Sequence, residues 1–241
     1  MRRNRTAFLA VQVPVEIGSR PFRGSSAIAA GHVGDGALRG PSFVRLFPDV
    51  YVGAGVPLDL RARAVAAYLD AHGRGIVAGW AAAELLGASC APAGAEAEIV
   101  LPGSDRRPRP GLRVHRFRPH VGEVREVDGI AVTSPLRTAY DLGRRETLVR
   151  AVTAVDALAR VGHFDPEAVL APARRHPGVR GTRRLPRVVA LSDRRAESPG
   201  ESRMRLAIVL AGLPTPVPQH RVGRFRLDLA YPDAMVGVEY D

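Results

Sequence analysis

Apolar and polar residues alternate with a period of two between Arg224 and Tyr231, where Phe225, Leu227, Leu229 and Tyr231 are set against Arg224, Arg226 and Asp228. That is the pattern of a half-buried strand. Pro232-Asp233-Ala234 supplies a turn, and Val236, Val238 and Tyr240 continue as a second strand whose opposite face carries Glu239 and Asp241. Residues 97–101 and 112–117 alternate in the same way, residues 129–132 make a shorter strand, and residues 44–52 make a strand pair. Elsewhere the period is helical. Leu60, Ala64, Ala67 and Tyr68 share one face, residues 80–86 form a second helix closed by Gly87, and Val149, Val152, Val155 and Leu158 share a face within 146–160. A further helix is expected over 165–175. Helix starts are marked by Thr133 or Ser134 before Pro135, and by Ser198-Pro199-Gly200-Glu201, which has the form of a capping box; Gly212 and Pro214 stop the second of these helices.

These elements predict an α/β (α+β) chain in four parts: 1–58, 59–145, 146–195 and 196–241. In the first, a basic arm precedes a short helix over 25–30, a turn over 31–36 and the hairpin, with Arg39 and Arg45 beside it. Helix, basic loop and hairpin suggest a reduced, degenerate winged-helix module that would touch DNA, with plain core packing of Phe43, Leu46, Val50 and Val52 as the structural alternative. The second part is a central α/β domain, the third a helical linker.

Charge sharpens the expectation. Lys+Arg is 35 against Asp+Glu 24, a net charge of +11, and every basic residue is arginine. Such a chain favours polyanions, and guanidinium is the better group for bidentate phosphate contacts. Arg174, Arg175, Arg180, Arg183, Arg184 and Arg187, followed by Arg194 and Arg195, would hold a phosphodiester backbone if they converge, or form a solvated helix face if they do not. A lone cysteine, Cys90, excludes an intrachain disulfide and a cysteine-based zinc site. The seven histidines lack metal-ligand spacing, and no long apolar run spells a membrane span, so a cytoplasmic protein is expected. At the N-terminus Gln12, Pro14 and Glu16 interrupt the apolar run a signal peptide would need.

The C-terminal carboxylates carry the candidate chemistry. With a two-residue turn at Asp233-Ala234, Asp228 falls opposite Glu239, an unfavourable pair of like charges. A hard cation such as magnesium would reverse that sign. The alternative pairs Asp228 with Arg226 or Arg224, leaves Glu201 as a cap residue and solvates Glu239 and Asp241.

Glu201, Asp228 and then Glu239-Tyr240-Asp241, within the phrase RLDLAYPDAMVGVEYD, resemble the core of the PD-(D/E)XK nuclease superfamily, in particular its very-short-patch-repair-like branch. The resemblance implies Mg2+ ligands at Asp228 and Glu239, a further polar contributor at Asp241, a supporting role for Glu201 and DNA as substrate. The family lysine is replaced by Asp241, and a partial restriction-endonuclease-like core over 196–241 is expected to be inactive. The phrases FRGSSAIAAG, LFPDVYV and VTSPLRTAYDLGRR look like actinobacterial proteins related to the AbiEi-like type IV antitoxins. This second resemblance makes 59–145 an AbiEi-like domain and implies DNA binding, autoregulation and a cognate toxin as possible partner. Three functions follow: an antitoxin- or regulator-like DNA-binding protein, a metal-dependent endonuclease, or a protein that neutralises a toxin by direct binding.

Overall fold

Short strands and eight α-helices make up the computed structural model, which describes residues 18–34, 36–103 and 109–240. The basic arm, the Asp105-Arg106-Arg107 loop and Asp241 lie outside these residues. The first sheet, in the order β1-β3-β2, is built from β1 (Phe22–Arg23), β2 (Phe43–Phe47) and β3 (Val50–Gly53), with α1 (Gly24–Ala29) between β1 and β2. Asp49, at the tip of the β2–β3 hairpin with φ of 61°, turns back onto α1. Its carboxylate accepts the backbone N–H of Ser25 (2.7 Å), the Ser25 hydroxyl (2.6 Å) and Arg23 Nε (3.1 Å). The tip therefore caps the helix instead of standing free as a wing. Phe43, Val50 and Val52 are buried, which is the plain packing alternative.

The central sheet holds five strands in the order β6-β5-β4-β8-β7. They are β4 (Ile76–Ala78), β5 (Ala97–Val100), β6 (Leu112–His115), β7 (Val124–Val127) and β8 (Ile130–Thr133). β4 pairs with β8 and β5 with β6 in parallel, while β4–β5 and β7–β8 are antiparallel. α2 (Leu60–Asp70) and α3 (Gly79–Leu85) pack on the sheet, and α4 (Pro135–Arg145) packs against α3 and lies along α5 (Leu148–Gly162). Ser134, expected as an N-cap, accepts the Arg137 N–H, and Asp59 caps α2 by accepting the Ala62 N–H.

The stretch 146–195, expected as a linker, is packed as core. Every residue of α5 from Ala151 to Ala159 is buried, and one hydrophobic cluster runs from Leu60 through Val155, Leu158 and Leu185 to Leu206. The physical reason is a helix apolar on nearly every side between Ala151 and Ala159, whose two polar residues there, Thr153 and Asp156, are hydrogen-bonded within the protein. Val149 alone of its expected face is exposed. α6 (Leu170–Arg175) and α7 (Leu185–Ala190) close over this layer, followed by α8 (Pro199–Leu210). A last antiparallel sheet, β11-β10-β9, comprises β9 (Val217–Val222), β10 (Phe225–Tyr231) and β11 (Val236–Val238). No helix of the described residues is long and apolar enough to cross a membrane.

α8 is held by charge. Ser198 caps it by accepting the Glu201 N–H, and the Glu201 carboxylate reaches back to the Glu197 N–H at 2.9 Å. Its buried side carries Glu201, Ser202, Arg205 and Leu206, not only the apolar body expected. Arg205 Nη2 and Ser202 Oγ donate to Asp156 Oδ2 on α5 at 2.7 and 2.8 Å.

Candidate nucleic-acid interface

Ser134 and Pro135 start α4 so that Arg137 and Asp141 lie one turn apart, and the two form an ion pair, Nε to Oδ2 at 2.8 Å. It is buried, with side-chain exposures of 3% and 2%, and belongs to a larger cluster. Arg137 Nη1 also donates to Glu123 Oε2 and lies 3.0 Å from His176 Nε2, and its guanidinium sits 4.1 Å from the centroid of the Phe117 ring. His176 Nε2 is 3.0 Å from Glu123 Oε1, and the His120 N–H donates to Glu123 Oε2. Arg144 takes the other oxygen of Asp141 at 2.7 Å. Burial disfavours the Glu123 carboxylate, but His120, His176 and Arg137 outweigh it and hold its pKa below the ordinary value. The cluster clasps two segments together, the loop after β6 carrying Arg116, Phe117, Arg118 and His120, and the end of α6 at Arg175 with the His176 that follows it.

Arginines crowd both loops. Arg174, Arg183 and Arg187 are exposed and make no ion pair among the described residues, and the same holds for Arg118. Arg175 faces Glu123 at 3.6 Å, Arg184 is half-buried, and the carbonyl of Arg180 accepts from Arg144. Arg194 and Arg195 are partnered by Asp165 and Asp193. Arg174, Arg183 and Arg187 thus leave unneutralised charge on the α6–α7 segment, and Arg118 adds to it on the loop after β6. Sequence reasoning passed over Arg118; its signal was the run Arg116-Phe117-Arg118-Pro119-His120, with an aromatic between basic residues. In the N-terminal unit Arg39 is exposed on a 3-10 turn and Arg45 is exposed with Nε on the Phe47 carbonyl.

The C-terminal carboxylates are placed differently. Leu229 pairs with Val238 and Tyr231 with Val236, a register that continued by one step sets Asp228 level with Glu239, although the strands are joined by a 3-10 turn over Pro232–Ala234 and a left-handed Met235 instead of the expected two-residue turn. Asp228 Oδ2 accepts the Tyr240 N–H at 2.9 Å, Glu239 is exposed, and Arg226 pairs with Glu197 at 2.6 Å rather than with Asp228. Glu201 is buried and bound by the Glu197 N–H and by Gln219 Nε2. Among the described residues no three His, Cys, Asp or Glu side chains gather as a metal cluster.

A second buried carboxylate lies at the opposite end of α4. Glu98 Oε2 is 2.7 Å from His115 Nε2 and accepts Arg145 Nη1 at 2.9 Å. Trp80, Glu98, Arg113, Glu146 and Arg150 line a polar cavity of about 310 Å³. Burial opposes ionisation of Glu98, but the bonds from His115 and the charge of Arg145 win and bring it down to about 2. A depressed carboxylate contributes stability that is complete above its ordinary pKa of 4.5 and is lost as pH falls toward 2. The shift corresponds to on the order of 3 kcal/mol. Urea unfolding followed from pH 6 down to pH 2 should show this loss in the wild type and a shallower one in Glu98→Gln.

The mixed sheet and its helical layers define an α+β fold with an arginine-rich surface. Residues 76–201 match the family described as the AbiEi antitoxin C-terminal domain, and the chain belongs to that family. It is 30% identical over 222 residues to the uncharacterized protein Rv2248 of Mycobacterium tuberculosis strain H37Rv, covering 86% of this chain and 76% of that protein. The uncharacterized protein MT2308 of strain CDC 1551 matches at the same level. The crystal structure of RV2827C from Mycobacterium tuberculosis is similar at a TM-score of 0.44 and 16% identity, over 85% of this chain and 82% of that one.

Proposed function

We propose that this chain is an antitoxin that binds DNA as a regulator, with the α6–α7 arginines as its principal phosphate contacts. The observation that carries the reading is local: within the segment matching the antitoxin family, 76–201, Arg174, Arg183 and Arg187 stand exposed without acidic partners on the α6–α7 segment. Phosphate contacts of this kind release counterions, so affinity falls with salt in proportion to their number. Arg183→Gln/Arg187→Gln should weaken binding to a mixed-sequence duplex and lower the slope of log affinity against log salt by about two. Fluorescence anisotropy across a salt series measures both. Binding unchanged in the variant would remove the α6–α7 surface from the reading. If the same substitutions leave DNA binding intact but abolish capture of a co-expressed cognate toxin, the arginines serve direct protein neutralisation instead.

One observation favours a second reading, a metal-dependent endonuclease: the register that sets Asp228 level with Glu239. Adding magnesium to the same duplex tests it. Cleavage by the wild type that is lost in both Asp228→Ala and Glu239→Ala would establish the activity, and an intact duplex would leave DNA binding alone.

A further inference from the structure

At the end of the last sheet, β9 and β10 run out as a two-stranded ribbon closed by Gly223 and Arg224, Gly223 with φ of 60°. Burial fades along it. Pro218, Leu229 and Ala230 are buried and Leu227 is half-buried, whereas Phe225 is 63% and its cross-strand neighbour Val222 is 52% exposed. Phe225 was expected on the buried face of this strand, but that face runs out of core before reaching it. On the next rung Arg221 lies opposite Arg226. Arg226 is neutralised by Glu197, while Arg221 makes no ion pair among the described residues. The Arg224 guanidinium lies 5.0 Å from the centroid of the Phe225 ring.

In the free chain this tip is unfavourable twice over. Arg221 and Arg224 gather unpaired positive charge at one end of the ribbon, and an aromatic ring and a valine stand in water. A polyanion neutralises that charge, and a groove wall covers the apolar pair. The major groove of duplex DNA admits a two-stranded ribbon, offers phosphates on both sides and presents thymine methyl groups to apolar side chains. We infer that the β9–β10 tip is a second DNA contact of this chain, in which Arg221 and Arg224 meet phosphates and Phe225 and Val222 meet base edges in the groove.

The inference rests on the DNA-binding reading, and wild-type binding to the mixed-sequence duplex tests that reading by itself. Given such binding, Arg221→Gln/Arg224→Gln should lower affinity on the order of tenfold and reduce the salt slope by about two. Arg221→Lys/Arg224→Lys should restore the slope, which a folding defect would not allow. Phe225→Ala should weaken binding several-fold with the slope unchanged, because an apolar contact releases no counterion. Hairpin variants that bind like the wild type, while Arg183→Gln/Arg187→Gln does not, would overturn the tip contact and leave the α6–α7 surface standing. A wild type that does not bind the duplex would overturn both.

Discussion

Alanine at position 156 should destabilise the protein by about 3–5 kcal/mol, the range for removing one partner of a buried ion pair. Asp156 and Arg205 have side-chain exposures of 1% and 4%, and the carboxylate also accepts the Asp193 N–H at 2.7 Å and the Ser202 hydroxyl. Without it, Arg205 keeps only the Leu191 carbonyl, at 2.7 Å, and its Nε already lacks a partner. Thermal unfolding should fall by roughly 10 °C for a chain of this size. Asp156→Leu/Arg205→Met, which removes both charges, should recover most of the loss, and the double-mutant cycle separates the pair from its uncompensated remnant. Burial pushes the Asp156 carboxyl up to about 6 against the pull of Arg205. An acid raised in this way favours the folded chain while protonated, so its contribution is present below the ordinary 3.8 and lost as pH rises through about 6. This window lies above that of Glu98 and runs in the opposite direction. If Asp156→Ala unfolds like the wild type, α8 is not held to α5 by this pair.

The second large effect is expected at Gly79, the first residue of α3, whose φ is 58°. A left-handed backbone costs alanine roughly 1–2 kcal/mol. The added Cβ would also overlap the Glu98 carboxylate, whose Oε1 accepts the Trp80 N–H. Glu98 must then move off His115 and Arg145, stranding a buried charge. Gly79→Ala should therefore cost more than 3 kcal/mol in all, read as a lower urea midpoint with an unchanged m-value. It should also flatten the acid-side loss of stability, since the displaced Glu98 no longer has a depressed pKa. A Gly79→Ala protein with wild-type stability would mean that the β5 carboxylate relaxes freely.

Much of the candidate interface was legible because its signals are local. The Ser134-Pro135 and Ser198-Pro199 starts, the Arg137–Asp141 pair and the level of Asp228 with Glu239 all follow from spacing over a few residues. Other features left no such trace. β4 is three residues long and β7 is largely exposed, so neither shows an alternation. The parallel pairing of β5 with β6 depends on partners outside any local window.

The sequence alone determined the α+β class, the helix caps and the arginine-rich charge, because these depend on composition and on neighbours within about one turn or rung. Tertiary structure decided which charges are spent and which are free. Glu123 meets His176 across 53 positions and Asp156 meets Arg205 across 49, and desolvation at those meetings turns ordinary carboxylates into buried anchors. Arginines left without such partners, among them those at the α6–α7 surface and the β9–β10 tip, remain available to a polyanion.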